Sequence, residues 1–96
     1  MVRIETGMLA RSKAGHDHGK LYIIIRTEAE YVWLADGVCH TVDNPKKKKK
    51  KHIQIIHRIP EPVRSLLESS SPLQNGHIKQ IIQSESQDRQ EDKSEK

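Results

Sequence analysis

Asn44-Pro45-Lys46-Lys47-Lys48-Lys49-Lys50-Lys51-His52-Ile53-Gln54-Ile55-Ile56-His57 is the stretch on which the fold turns. Six successive lysines at a terminus would read as a solvated tail. These sit between a turn-forming Asn-Pro and an apolar stretch, which makes them a loop, or the start of a strand, inside a folded domain. Six ammonium groups cannot be packed in a core, because each would cost several kcal/mol unless paired. They face water or a polyanion, and the polyanion such a patch suits is nucleic acid. If the run is extended, alternate lysines point to opposite sides, so about three or four at most reach one phosphate backbone.

Outward from the lysines, the first half of the chain reads as β structure. Met8–Ser12 is a short candidate strand. Lys20–Arg26 is rich in β-branched and aromatic residues and is bounded by Gly19. Tyr31–Ala35 is a third strand. Asp36-Gly37 predicts a two-residue hairpin turn leading into Val38–Val42 as a fourth strand. His52–His57 is a fifth. Five short strands joined by tight turns predict a mainly β fold, a small barrel. Pro60-Glu61-Pro62 then ends the ladder, because proline cannot donate to it. Val63, Leu66 and Leu67 recur at helical spacing. After the break at Ser69–Pro72, Leu73, Ile78, Ile81 and Ile82 form a second stripe, with Asn75 a possible N-cap. Neither short helix is stable alone, so both must dock, most simply on the barrel.

Composition sets bounds. The chain has 96 residues, 33% apolar and 3% aromatic, with no Phe. This allows a single small core of Ile, Leu and Val. Cys39 is alone, which excludes an internal disulfide and favours a reducing compartment. No apolar run approaches the ~20 residues of a membrane helix, and the N-terminal segment lacks a signal-peptide pattern, so a cytoplasmic protein is expected. Residues 1–83 carry 14 Lys and Arg against 8 Asp and Glu, whereas residues 84–96 carry 3 against 5. The acidic end has no apolar residue and is expected to be disordered. The expected organisation is a barrel over 1–59, two helices over 60–83 and a disordered tail over 84–96.

Between the first two strands lies Ala14-Gly15-His16-Asp17-His18-Gly19-Lys20-Leu21. Glycines at 15 and 19, just before a β run, indicate a turn that needs positive φ or close approach. In context the segment resembles a KOW motif, the strand–loop–strand element of several ribosomal proteins and NusG-type transcription factors. Gly7-Met8-Leu9-Ala10-Arg11-Ser12-Lys13-Ala14-Gly15, then Asp36-Gly37, Asn44-Pro45-Lys46-Lys47-Lys48 and His52-Ile53, are similar in order to the eukaryotic-type large-subunit ribosomal proteins L-fourteen-e, L-six-e and L-twenty-seven-e. The likeness is greatest to their small bacterial RNA-binding members, which carry a two-helix extension. It covers residues 6–57 well and 62–83 loosely. The resemblance implies an SH3-like barrel, RNA binding and association with the large ribosomal subunit. It departs from the family at His16-Asp17-His18, where relatives often carry Arg or Lys at the first and third positions, and in the length and purity of the lysine run.

On this reading Lys46, Lys47, Lys48, Lys49, Lys50 and Lys51, with Arg11, Lys13 and Lys20, neutralise RNA phosphates. The resemblance places His52 beside them and makes Gly15 and Gly19 the KOW turn. Such contacts position a protein without reading sequence. Tyr31 and Trp33 lie opposite Val32 and Leu34 by strand alternation. If the latter fill the interior, the two aromatic side chains point outward, either under a docked helix, the simpler expectation, or toward unpaired bases. A metal site would need three or four of His16, Asp17, His18, Cys39, His40, His52 and His57 to converge, and no CxxC accompanies them, so no metal or other cofactor is expected. Asp17 and Asp36 have no partner acid, base or nucleophile, so no catalytic residue is expected and the chain is not expected to be an enzyme. The expected partner is RNA, with no membrane and a monomeric free state. Two alternatives stand beside this: a transcription-elongation KOW module, or an SH3/Tudor-like protein-interaction module.

Overall fold

The computed structural model describes residues 4–13 and 18–94, with side chains of the last helix described as far as Glu85. Gly15, His16 and Asp17 lie outside the described residues. The elements are β1 (Leu9–Ser12), β2 (Leu21–Thr27), β3 (Tyr31–Ala35), β4 (Lys46–Lys49), a 3-10 turn at Lys50–His52, β5 (Ile53–Ile56), α1 (Glu61–Glu68) and α2 (Asn75–Ser94). Among the described residues the five strands form one antiparallel sheet in the order β4-β3-β2-β1-β5. No helix among the described residues is long and apolar enough to cross a membrane.

The centre of the sheet is Leu21-Tyr22-Ile23-Ile24, whose residues are all buried. A continuous apolar run fits a strand covered on both faces, and two separate cores cover this one. Alternation sorts the side chains. Ala10, Tyr22, Ile24, Val32, Leu34 and Ile53 fill an inner core, and Leu9, Leu21, Ile23 and Ala35 face the other way. The second set packs against Val63 of α1 and Ile78 and Ile81 of α2. Fully burying each of these aliphatic side chains contributes about 1.5–3 kcal/mol. The docking of both helices therefore comes from this apolar contact, not from helix propensity. Pro62 is tolerated in the first turn of α1 because the N–H it lacks would have had no intrahelical partner.

Val38–Val42 is not a strand. Asp36 Oδ1 accepts from the backbone N–H groups of Val38 and His40, each at 2.9 Å, and the backbone N–H groups of Asp36 and Gly37 donate to the His40 carbonyl. The segment thus satisfies its backbone within a loop, the alternative that a short Asp side chain offers a ladder. Val38 is left 61% exposed. The place beside β3 goes to the lysines as β4. As an edge strand β4 pairs on one side only, and lysine side chains there discourage further pairing.

Two further expectations change. Asn75 is not a local cap: its Oδ1 accepts from Val42 N at 2.9 Å, tying the start of α2 to the loop before β4. The backbone of α2 runs on to Ser94, through most of the stretch expected to be disordered. That stretch has no Pro or Gly and is rich in Glu, Gln, Lys and Arg, which carry little helix penalty.

Candidate nucleic-acid interface

Pairing between β3 and β4 decides what each lysine can do. Tyr31 stands opposite Lys49, Val32 opposite Lys48, Trp33 opposite Lys47 and Leu34 opposite Lys46. Directly opposite residues share a face. Lys46 and Lys48 therefore lie on the inner-core side with Val32 and Leu34 and are half-buried, while Lys47 and Lys49 are exposed. Lys48 Nζ donates to Oγ of buried Ser12 at 2.7 Å, reaching from β4 to β1. The homopolymeric run is thus divided by register into a pair turned to the core and a pair turned to solvent.

The outward pair shares its face with both half-exposed aromatic side chains, Tyr31 and Trp33. Lys47 Nζ lies 4.3 Å from the Tyr31 ring centroid and 5.5 Å from that of Trp33. A register shift between Ile24 and Arg26 in β2 places Arg26 opposite Trp33, with its Cζ 4.6 Å from the indole centroid. Without that bulge, alternation would turn Arg26 to the inner face with Ile24. Arg26 also pairs with Glu28 at 2.6 Å. Each exposed cation–π contact contributes about 0.5–1 kcal/mol. The expectation that a helix docks on Tyr31 or Trp33 is not met. The helices cover Leu9, Leu21, Ile23 and Ala35 at the other end of this face, because those side chains offer the unbroken apolar surface that Val63, Ile78 and Ile81 need.

Lys50 and Lys51 continue the basic edge through the 3-10 turn, and Lys50 N donates to the Glu30 carbonyl at 2.9 Å. His52 and Lys13 are exposed and joined by a 2.9 Å backbone hydrogen bond from Lys13 N to the His52 carbonyl. The remaining expected cations are engaged elsewhere. Arg11 Nη1 donates to the Gly19 carbonyl at 2.7 Å, bracing the β1–β2 connection. Lys20 Nζ pairs with Asp36 Oδ2 at 2.8 Å. Arg11 and Lys20 line a cleft with Asp36 and Lys79, away from Tyr31 and Trp33. Arg26 is the residue that sequence reasoning missed. It closes β2 like any flanking charge, and only the bulge brings it to the indole. Among the described residues no group of three His, Cys, Asp or Glu side chains is placed to hold a metal ion.

Asp36 organises the loop that carries the chain from β3 to β4. Its burial opposes ionisation. The hydrogen bonds from Lys20 and from the backbone of His40 and Val38, with the Lys20 charge, outweigh that and hold the carboxyl at about 2 against an ordinary 3.8. A carboxylate whose pKa is depressed by folding stabilises the fold above its unfolded pKa and loses that stabilisation as pH falls through the folded value. This shift corresponds to about 2 kcal/mol, fully present above about pH 5 and lost by about pH 2. Thermal melts between pH 6 and pH 2 should show this acid-side loss, and in Asp36→Asn the curve should flatten by about the same 2 kcal/mol. An Asp36→Asn profile parallel to wild type would contradict the assignment.

No family model matches the chain, and no curated protein matches it significantly.

Proposed function

We propose that this chain is an RNA-binding protein of the KOW type, associated with the large ribosomal subunit in the cytoplasm. It holds RNA phosphates through the outward side of β4 and the turn that follows, and works by binding, without catalysis. The observation that carries this reading is the placement of Lys47 and Lys49 beside Tyr31 and Trp33 on one open face, with Arg26 opposite Trp33. Cations next to exposed aromatic rings are the combination that RNA-binding sheets use, one for phosphates and one for bases. An SH3-like barrel is the finer fold reading. It is supported by the passage of β4 through a 3-10 turn into β5, the pairing of β5 with β1, and the Lys48–Ser12 hydrogen bond across the inner core.

Lys47, Lys49, Lys50 and Lys51 give about three to four phosphate contacts, so log K against log salt should fall with a slope of about −2 to −3 on a single strand. Fluorescence anisotropy with labelled RNA across a salt series measures it, and a slope near zero would sink the phosphate reading. Sucrose-gradient fractionation at low and high salt tests the partner. Comigration with large ribosomal subunits, released by salt, is expected. Comigration with RNA polymerase would favour an elongation module, and free protein at every salt level a protein-interaction module.

A further inference from the structure

We propose that Tyr31 and Trp33 form a stacking platform for unpaired bases, so that the β3–β4 face takes single-stranded or bulged RNA and not a continuous duplex; this rests on the RNA-binding reading above. Tyr31 and Trp33 are two residues apart on one face of β3 and both are half-exposed. Along a strand that spacing is about 6.6 Å, close to two base steps of about 3.4 Å each. That is about twice the rise between stacked neighbours, so two successive bases reach the two rings only when splayed apart, which an unpaired strand allows and a duplex does not.

The rings are covered by charge. Lys47 reaches both rings, and Arg26 lies against the indole. A folded chain with two helices that each carry an apolar stripe had the means to bury this face. Those helices cover its far end instead, over Leu9, Leu21, Ile23 and Ala35. A cation is a cover that a nucleotide can exchange, since the phosphate draws the ammonium aside while the base takes the ring. The Arg26 guanidinium, planar and already against the indole, can itself stack on a base. In a duplex the base faces are occupied by neighbouring bases, so this platform has nothing to hold there and only phosphate contacts remain.

Three ligands with equal phosphate counts test the proposal: a short oligouridine, the same strand with abasic positions, and a hairpin duplex. The oligouridine should bind more tightly than the abasic strand by about 5- to 150-fold for each of the two stacked bases. It should also quench the fluorescence of Trp33, the single tryptophan of the chain. Trp33→Leu and Tyr31→Leu should each remove one base's share, about 5- to 150-fold, for oligouridine while leaving abasic-strand affinity near wild type and lowering the circular-dichroism melting temperature by no more than about 10 °C, the loss of one or two exposed cation–π contacts, and Trp33→Phe should retain most of the affinity. Equal affinity for oligouridine and the abasic strand would overturn the stacking platform while leaving phosphate binding intact. Absence of salt-dependent binding to all three would overturn the RNA reading itself.

Discussion

Gly37→Ala should lower the melting temperature by about 10–25 °C, against about 5–10 °C for Gly19→Ala, from the stability losses below and the usual scaling for a domain of this size. The two glycines share almost the same backbone strain, with φ of +82° at Gly37 and +86° at Gly19. An L-residue there costs about 1–2 kcal/mol. What differs is the neighbourhood. A Cβ at Gly19 would meet nothing within 4 Å, whereas one at Gly37 would lie 2.5 Å from the Asn75 carbonyl oxygen and 2.9 Å from Lys79 N. Both are backbone atoms of α2, so no rotamer change relieves the overlap. The helix must withdraw, which loosens Ile78 and Ile81 against the sheet. Such displacement costs about 1–3 kcal/mol beyond the strain, for a total of about 2–5 kcal/mol. Circular-dichroism melts of the two variants at one pH provide the comparison. Equal losses would show that α2 does not rest on Gly37.

The second large effect separates lysines that composition cannot distinguish. Changing Lys47 and Lys49 together to Ser should weaken RNA binding by about 10- to 30-fold near 0.1 M salt, the loss of two phosphate contacts. The melting temperature should fall by only about 5 °C, through loss of the exposed Lys47 contacts with the Tyr31 and Trp33 rings. Changing Lys46 and Lys48 to Ser removes the same charge with the opposite result. Binding should fall only through the weaker general field. Stability should fall by about 1–2 kcal/mol, since the Lys48–Ser12 hydrogen bond and the alkyl stems beside Val32 and Leu34 are lost. Anisotropy titrations paired with thermal melts on both double variants would decide. If the two pairs weaken binding equally, the RNA responds to net charge and not to a placed face.

The candidate site was partly legible. Lysines had to face solvent or a polyanion because of their desolvation cost, and an extended run had to split by alternation. The rest depended on contacts between distant segments. Lys20 follows a glycine loop and reads as a phosphate contact, yet Asp36 sits 2.8 Å from its ammonium and makes it part of the loop before β4. Lys20→Ala is therefore a stability variant before it is a binding variant. Arg26 had no local mark, because a bulge becomes visible only when β2 is set against β3.

By itself the sequence determined four of the strands, both apolar helical stripes and the requirement that the lysines stay out of the core. Each follows from period, propensity or charge within one segment. Tertiary structure alone decided that Lys46–Lys49 and not Val38–Val42 would pair with β3, which lysines would face Tyr31 and Trp33, and where α2 would rest on Gly37. A homopolymer carries no register of its own. Its faces were assigned by the strand opposite, whose alternation of aromatic and aliphatic side chains admits only one side to the core.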